Sequence, residues 1–236
     1  EHLVINTSTA PIIYNKGGSI LRQVEGYIGP ANFQKGLQHY LRTHAYQCAE
    51  SRHLWEAFEA VSDRPVTALM ENWVGQPGFP LVTAAREGDT LVLSQRRFTY
   101  LPKDCGQKWL IPLNLRTFAA DGESQRTAVL MEAAEMRIAL APGTVAYKLN
   151  DRQTGFFRVK YARIEDLRQL GDRVQRKVLP AEDRWGLQND LYALAVAGEA
   201  RLEDYLAFLE HFRDEEDYLP LAGIAANLSH AHLVAG

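Results

Sequence analysis

Gly75-Gln76-Pro77-Gly78-Phe79-Pro80 places two glycines and two prolines in six residues, and no helix continues through such a stretch. The apolar spacing on its two sides differs. Before it the period is helical: Ile20, Leu21, Val24 and Ile28 follow one stripe, which Gly29-Pro30 breaks. Pro30 suits the first turn of a second helix that aligns Phe33, Leu37, Tyr40 and Leu41. A third helix is predicted with Ser51 as N-cap, aligning Leu54, Phe58 and Val61, and a fourth opens at Pro65 and aligns Val66, Leu69, Met70 and Trp73.

After the stretch the period changes to strands. Leu81-Val82-Thr83 and Leu91-Val92-Leu93 flank Glu87-Gly88-Asp89, a hairpin signal. Trp109, Ile111, Leu113 and Leu115 alternate at period two, and Asp121-Gly122 marks another turn. Val129-Leu130-Met131, Arg137-Ile138-Ala139-Leu140, Val145-Ala146-Tyr147 and Phe156-Phe157-Arg158-Val159 follow. About seven short strands predict a small antiparallel sandwich. Beyond Tyr161 the helical period returns. Leu187, Leu191, Leu194 and Ala195 share a face closed by Gly198, and Leu202, Tyr205, Leu206, Leu209 and Phe212 form the next stripe. A last helix is expected over 217–228, interrupted near Pro220.

Composition sets the outer limits. Of 236 residues 46% are hydrophobic and 23% charged, which excludes a disordered or low-complexity chain. Lys plus Arg number 26 against 29 Asp plus Glu, a net charge of -3 that supplies no concentrated positive field for nucleic acid. Two cysteines, Cys48 and Cys105, are too few for a disulfide framework and read as reduced thiols. No apolar run approaches the ~20 residues that span a bilayer, and no signal peptide opens the chain. A soluble, cytoplasmic protein with neither nucleic-acid nor membrane partner is the expectation.

Several separate motifs go beyond fold class. Ile13-Tyr14-Asn15-Lys16-Gly17-Gly18-Ser19-Ile20-Leu21-Arg22 resembles the tyrosine-lysine-glycine helix start of the M1 family of zinc aminopeptidases. Phe33-Gln34-Lys35-Gly36-Leu37, Tyr40-Leu41, Leu54-Trp55-Glu56-Ala57 and Trp73-Val74-Gly75-Gln76-Pro77-Gly78-Phe79-Pro80 follow in that family's order. Thr154-Gly155-Phe156-Phe157-Arg158-Val159-Lys160-Tyr161 and Asp183-Arg184-Trp185-Gly186-Leu187 extend the resemblance to nearly the whole chain. It implies an α+β, multi-domain arrangement. Residues 1–80 would be the helical end of a thermolysin-like catalytic domain, 81–162 an antiparallel β-sandwich, and 163–236 the truncated start of a HEAT-like, superhelical α-domain.

The resemblance also implies a chemistry. M1 enzymes remove N-terminal residues from peptides with one zinc ion, and the family tyrosine donates its hydroxyl to the oxyanion of the tetrahedral intermediate. Tyr14 stands at the matching position. By spacing alone Tyr14 is an ordinary tyrosine at a helix start with its hydroxyl in water, and it is the surrounding motif that gives it a catalytic ancestry. Lys16 reads as solvated or structural rather than as a substrate ligand, and Gly17-Gly18 as allowing close helix packing.

The metal chemistry is missing. A zinc site of this kind needs His-Glu-x-x-His on one helix, and none of His2, His39, His44, His53, His211, His230 or His232 begins it. His39 and His44 lie about 140° apart around a helix, and His230-Ala231-His232 reads as surface. Met70-Glu71-Asn72 merely echoes the family's Gly-Ala-Met-Glu-Asn strand. Asp214-Glu215-Glu216-Asp217 reads as a solvated turn, and Arg96-Arg97, on or beside a strand, as meeting an acidic partner or, more ordinarily, as an exposed strand edge.

The expected function is therefore that of a fragment of a zinc metallo-aminopeptidase, inactive alone, whose parent enzyme holds the zinc and acts on peptide substrates. No metal ligands are assigned to this chain. The opening Glu1-His2-Leu3 lacks an initiator methionine, and Ile224, Leu228 and Leu233 would leave an apolar C-terminal end open to self-association. The alternative is a non-catalytic scaffold or interaction module derived from the same fold.

Overall fold

The computed structural model describes residues 11–101 and 106–235, so His2 and Cys105 lie outside the described residues. A π-helical turn, Pro11–Lys16, leads into α1 (Gly17–Ile28), followed by α2 (Pro30–Thr43), α3 (Ser51–Ser62) and α4 (Val66–Val74). Gly29, at φ 83°, supplies the left-handed joint between α1 and α2, and Pro30 starts α2 where a missing N–H is harmless. Ile20, Val24 and Ile28 bury as their spacing predicts.

The α2 stripe departs from expectation. Leu41 is 65% exposed, because α2 lies on the outside and meets α3 through Phe33, stacked 4.7 Å from Phe58, and through Gly36. The cap of α3 shifts as well: Ser51 is its first helical residue, and Glu50 is the cap, its N–H donating to His53 Nδ1 at 3.1 Å.

Seven strands are found among the described residues: β1 (Pro80–Glu87), β2 (Thr90–Arg97), β3 (Ile111–Ala119), β4 (Ser124–Met131), β5 (Glu135–Ala139), β6 (Thr144–Leu149) and β7 (Arg158–Tyr161). One sheet has the order β5-β2-β1-β7 and the other β4-β3-β6. The pairing is antiparallel except between β1 and β7, where Leu81–Ala84 run parallel to Arg158–Tyr161. This corrects the wholly antiparallel expectation. After β6 the chain crosses from the second sheet through a 3-10 turn, Asp151–Gln153, and reaches the free edge of β1 from its own starting end.

Trp109 lies just ahead of β3. Gln95 holds it from both sides, the Trp109 N–H donating to Gln95 Oε1 and Gln95 Nε2 to the Trp109 carbonyl, each at 2.9 Å. One continuous apolar core runs from Ile20, Val24 and Trp73 to Val82, Leu93, Ile111 and Leu149. The first four helices and both sheets thus share a single interior.

The C-terminal part comprises α5 (Ile164–Gln175), α6 (Ala181–Val196), α7 (Leu202–Leu209), a 3-10 turn (Glu210–Phe212) and α8 (Tyr218–Ala235). Gly198, at φ 72°, closes α6 as expected, and Glu199 N donates to the Leu194 carbonyl. Contrary to expectation α8 is unbroken. Pro220 falls in its first turn, where backbone N–H groups have no intrahelical partner to lose. A second core joins Leu167, Leu170, Leu187, Tyr205 and Phe208 to Phe118 of β3. Leu228 and Leu233 are exposed on α8. No helix among the described residues is long and apolar enough to cross a membrane.

Candidate functional site

The turn carrying Tyr14 is π-helical, a geometry found frequently at functional sites. Tyr14 is 64% exposed, and among the described residues nothing hydrogen-bonds its hydroxyl. The next residues are open as well. Among the described residues a Cβ built on Gly17 or Gly18 would meet nothing within 4 Å, so no described neighbour needs these glycines for close packing. That role belongs to Gly26 and Gly36, whose added Cβ atoms would lie 2.7 Å from Thr154 Cβ and 2.5 Å from Phe58 Cδ1. Lys16 is structural, as read, but through a specific bond: Nζ donates to the Gln76 carbonyl at 2.9 Å. Burial lowers its pKa.

Beyond its open start, α1 is held firmly along one side. Phe156 N donates to the buried Gln23 Oε1 at 2.9 Å, and Arg22 Nη2 donates to the Arg152 carbonyl at 3.2 Å. The segment 150–155 that receives these bonds is itself unusual. Asn150, Arg152 and Gln153 all have positive φ, a conformation costly for non-glycine residues unless the surroundings over-determine it. Here they do. Asn150 Nδ2 donates to Gln153 Oε1 and the Gly155 carbonyl, Gly155 N donates back to Asn150 Oδ1, and the buried Lys148 Nζ donates to the Asn150 carbonyl at 3.0 Å.

A cavity of about 230 Å³ opens between α1, this segment and α6, lined by Ser19, Arg22, Phe79, Phe156, Trp185 and Asn189. Its wall is set by buried ion pairs. Arg158 Nη1 donates to Asp190 Oδ1 at 2.9 Å while Val159 N donates to Oδ2 at 3.0 Å. Burial nonetheless leaves the Asp190 pKa raised.

One of the two charged motifs is built differently from its sequence reading. Glu215, in the run expected to be a solvated turn, is buried against Arg184 of α6, with Arg184 Nε and Nη2 donating to its two oxygens at 2.7 and 2.9 Å. Arg96-Arg97 ends β2 beyond the Thr90–Ser94 stretch that β5 covers, so the strand is open on that side there, and Arg96 is exposed. Arg96 pairs with Glu199, which also accepts from Lys160 Nζ at 3.1 Å. Sequence reasoning missed Gln23, Lys148 and Asn150. Lys148 carried a signal, a lysine flanked by Tyr147 and Leu149 inside an apolar strand.

Among the described residues no three His, Cys, Asp or Glu side chains gather as a metal site would require. The histidines are engaged elsewhere: the rings of His44 and His53 stack 4.5 Å apart, and His230 Nδ1 lies 2.6 Å from Tyr192 Oη. With His-Glu-x-x-His absent from the sequence, the residues present do not fit a zinc centre.

Residues 5–73 match the Peptidase family M1 domain, and residues 146–235 match the ERAP1-like C-terminal domain. Tricorn protease-interacting factor F2 of Thermoplasma acidophilum is 38% identical over 225 residues, covering 94% of this chain and 27% of that protein. Aminopeptidase M1-C of Oryza sativa subsp. japonica is 34% identical, covering 90% of this chain and 25% of that protein. Leucyl aminopeptidase of Saccharolobus solfataricus is 28% identical, covering 94% and 27%. The chain belongs to the M1 peptidase family and corresponds to the C-terminal portion of an M1-family aminopeptidase. It spans about a quarter of the length of these relatives.

Proposed function

We propose that this chain serves as the C-terminal portion of a zinc metallo-aminopeptidase that removes N-terminal residues from peptides in the cytoplasm, with Tyr14 as oxyanion donor. Zinc, held by residues outside this chain, would supply Lewis-acid chemistry and an activated water in such an enzyme. This chain's contribution is a neutral phenol with one directional O–H, held ready for the oxyanion at little reorganisation cost. One observation carries the reading: within the segment matching the M1 domain, Tyr14 presents its hydroxyl to solvent, with no hydrogen-bond partner among the described residues. On the same reading 1–80 belongs to the catalytic domain, 81–162 is a sandwich domain, and 163–236 begins a superhelical one.

Because its residues do not fit zinc, the chain alone is inactive on this proposal. The test uses a polypeptide joining this chain to an upstream segment that bears His-Glu-x-x-His. Tyr14→Phe should lower its kcat on an aminoacyl chromogenic substrate by ~10²–10³, and the isolated chain should release nothing. Chelator-sensitive release by the isolated chain would sink the proposal. The printed name of the Thermoplasma relative, an interacting factor, supports the second reading of a binding module. An upstream reading frame without His-Glu-x-x-His would favour that one.

A further inference from the structure

We infer that Lys16 is a positioning residue for Tyr14: by donating to the Gln76 carbonyl, its ammonium fixes the turn that aims the phenol. The inference rests on the oxyanion reading of Tyr14.

Gly17 and Gly18, where the π-helical turn passes into α1, are poor helix formers, and a Cβ built on either would meet no described residue within 4 Å. The bond from Lys16 to Gln76, reaching across 60 positions of sequence, ties the π-helical turn to the stretch that follows α4. Tyr14 points outward two residues earlier, so any freedom in this turn becomes displacement of the hydroxyl.

The acceptor, in contrast, is rigid. Gln76 Nε2 donates to the Lys108 carbonyl at 2.8 Å, and Gln107 Nε2 donates to the Pro77 carbonyl at 3.2 Å. Just before them, Leu110 N donates to Asn72 Oδ1 at 2.9 Å and Trp73 Nε1 to the Leu110 carbonyl at 2.6 Å. The 75–79 stretch is thereby sewn to the approach to β3, and Lys16 transfers that rigidity to the turn.

Lys16 forms no ion pair with a carboxylate among the described residues, and its pKa is lowered by burial. A partly buried ammonium satisfied by a distant carbonyl has the chemistry of a tether.

A kinetic cycle in the zinc-bearing polypeptide, with amide exchange on the same protein, tests this. Lys16→Gln should lower kcat by roughly 10²-fold, the cost of misplacing a catalytic group by about 1 Å, with KM unchanged. Lys16→Arg, which can reach the same carbonyl, should recover part of the loss. In a Tyr14→Phe background Lys16→Gln should cost almost nothing further, because it acts through the missing hydroxyl. Exchange over 11–19 should quicken in Lys16→Gln while α5 stays protected. Full kcat in Lys16→Gln, an undiminished loss in the Tyr14→Phe background, or unchanged exchange over 11–19 each overturns the inference and leaves the oxyanion reading standing. Unchanged kcat in Tyr14→Phe alone overturns the oxyanion reading and leaves Lys16 nothing to position.

Discussion

Lys148 Nζ lies 3.3 Å from Asp183 Oδ1, with the two side chains 1% and 0% exposed. The contact is a buried ion pair, and Lys148 Nζ also donates to the carbonyls of Leu149 and Asn150. It joins β6 to the first turn of α6 and supports the left-handed segment against which α1 rests. Burial raises the Asp183 pKa, and Lys148 opposes that rise.

Removing the cation should therefore be worse than neutralising the acid. Lys148→Met leaves a buried carboxylate uncompensated and should cost ~3–5 kcal/mol at pH 7, with Asp183→Asn costing less. An acid whose folded pKa is raised binds its proton more tightly when folded, so the Lys148→Met deficit should shrink as pH falls through that value. Urea denaturation at pH 7 and pH 5 measures both differences.

Glu215 gives the opposite pH dependence. Burial alone would raise its pKa, but the hydrogen bonds from Arg184 outweigh burial and hold it below the ordinary carboxylate value. Its contribution is complete above the unfolded value of about 4.3 and is lost as pH falls through the folded one. Arg184→Gln should cost about 3 kcal/mol at pH 7, a difference from the parent chain that narrows below pH 4. Equal deficits at both pH values would show that the pair is not what docks the start of α8.

The glycines of α1 should separate by position. Gly26→Ala drives a Cβ to 2.7 Å from Thr154 Cβ and should destabilise by ~1–3 kcal/mol. Gly18→Ala meets open space and should stabilise by up to about 1 kcal/mol through helix propensity. Thermal unfolding of the two variants decides, and a destabilised Gly18→Ala would contradict the open helix start.

Tyr14→Phe should leave stability within about 0.5 kcal/mol of the parent chain, because an exposed hydroxyl without a partner contributes nothing to hold the fold. Any larger loss in a denaturant titration would mean that the phenol has a structural partner, which would count against a catalytic role.

Local chemistry carried much of the fold. The break at 75–80, the turns at Gly29 and Gly88, the cap at Gly198 and the succession of β1 to β6 follow from residues a few positions apart, and each was legible, though β4 and β5 start earlier than their apolar residues suggest. Pro220 was misread because its effect depends on distance from a helix end that the residues around it do not define. Leu41 was misread because a stripe reveals an apolar face without revealing how much of it a neighbour covers.

By itself the sequence determined the order of the strands and of every helix but α5, and the placing of a tyrosine just ahead of α1 without a zinc motif beside it. Those rest on periods and spacings within a turn or a strand, and the family on a resemblance of whole motifs. Only the tertiary structure decided which charges are buried in pairs, that β7 runs parallel to β1, and that Lys16 reaches Gln76. Such contacts join residues 31 to 77 positions apart, and a long side chain's choice between water and a distant partner is made by the surroundings that folding creates around it.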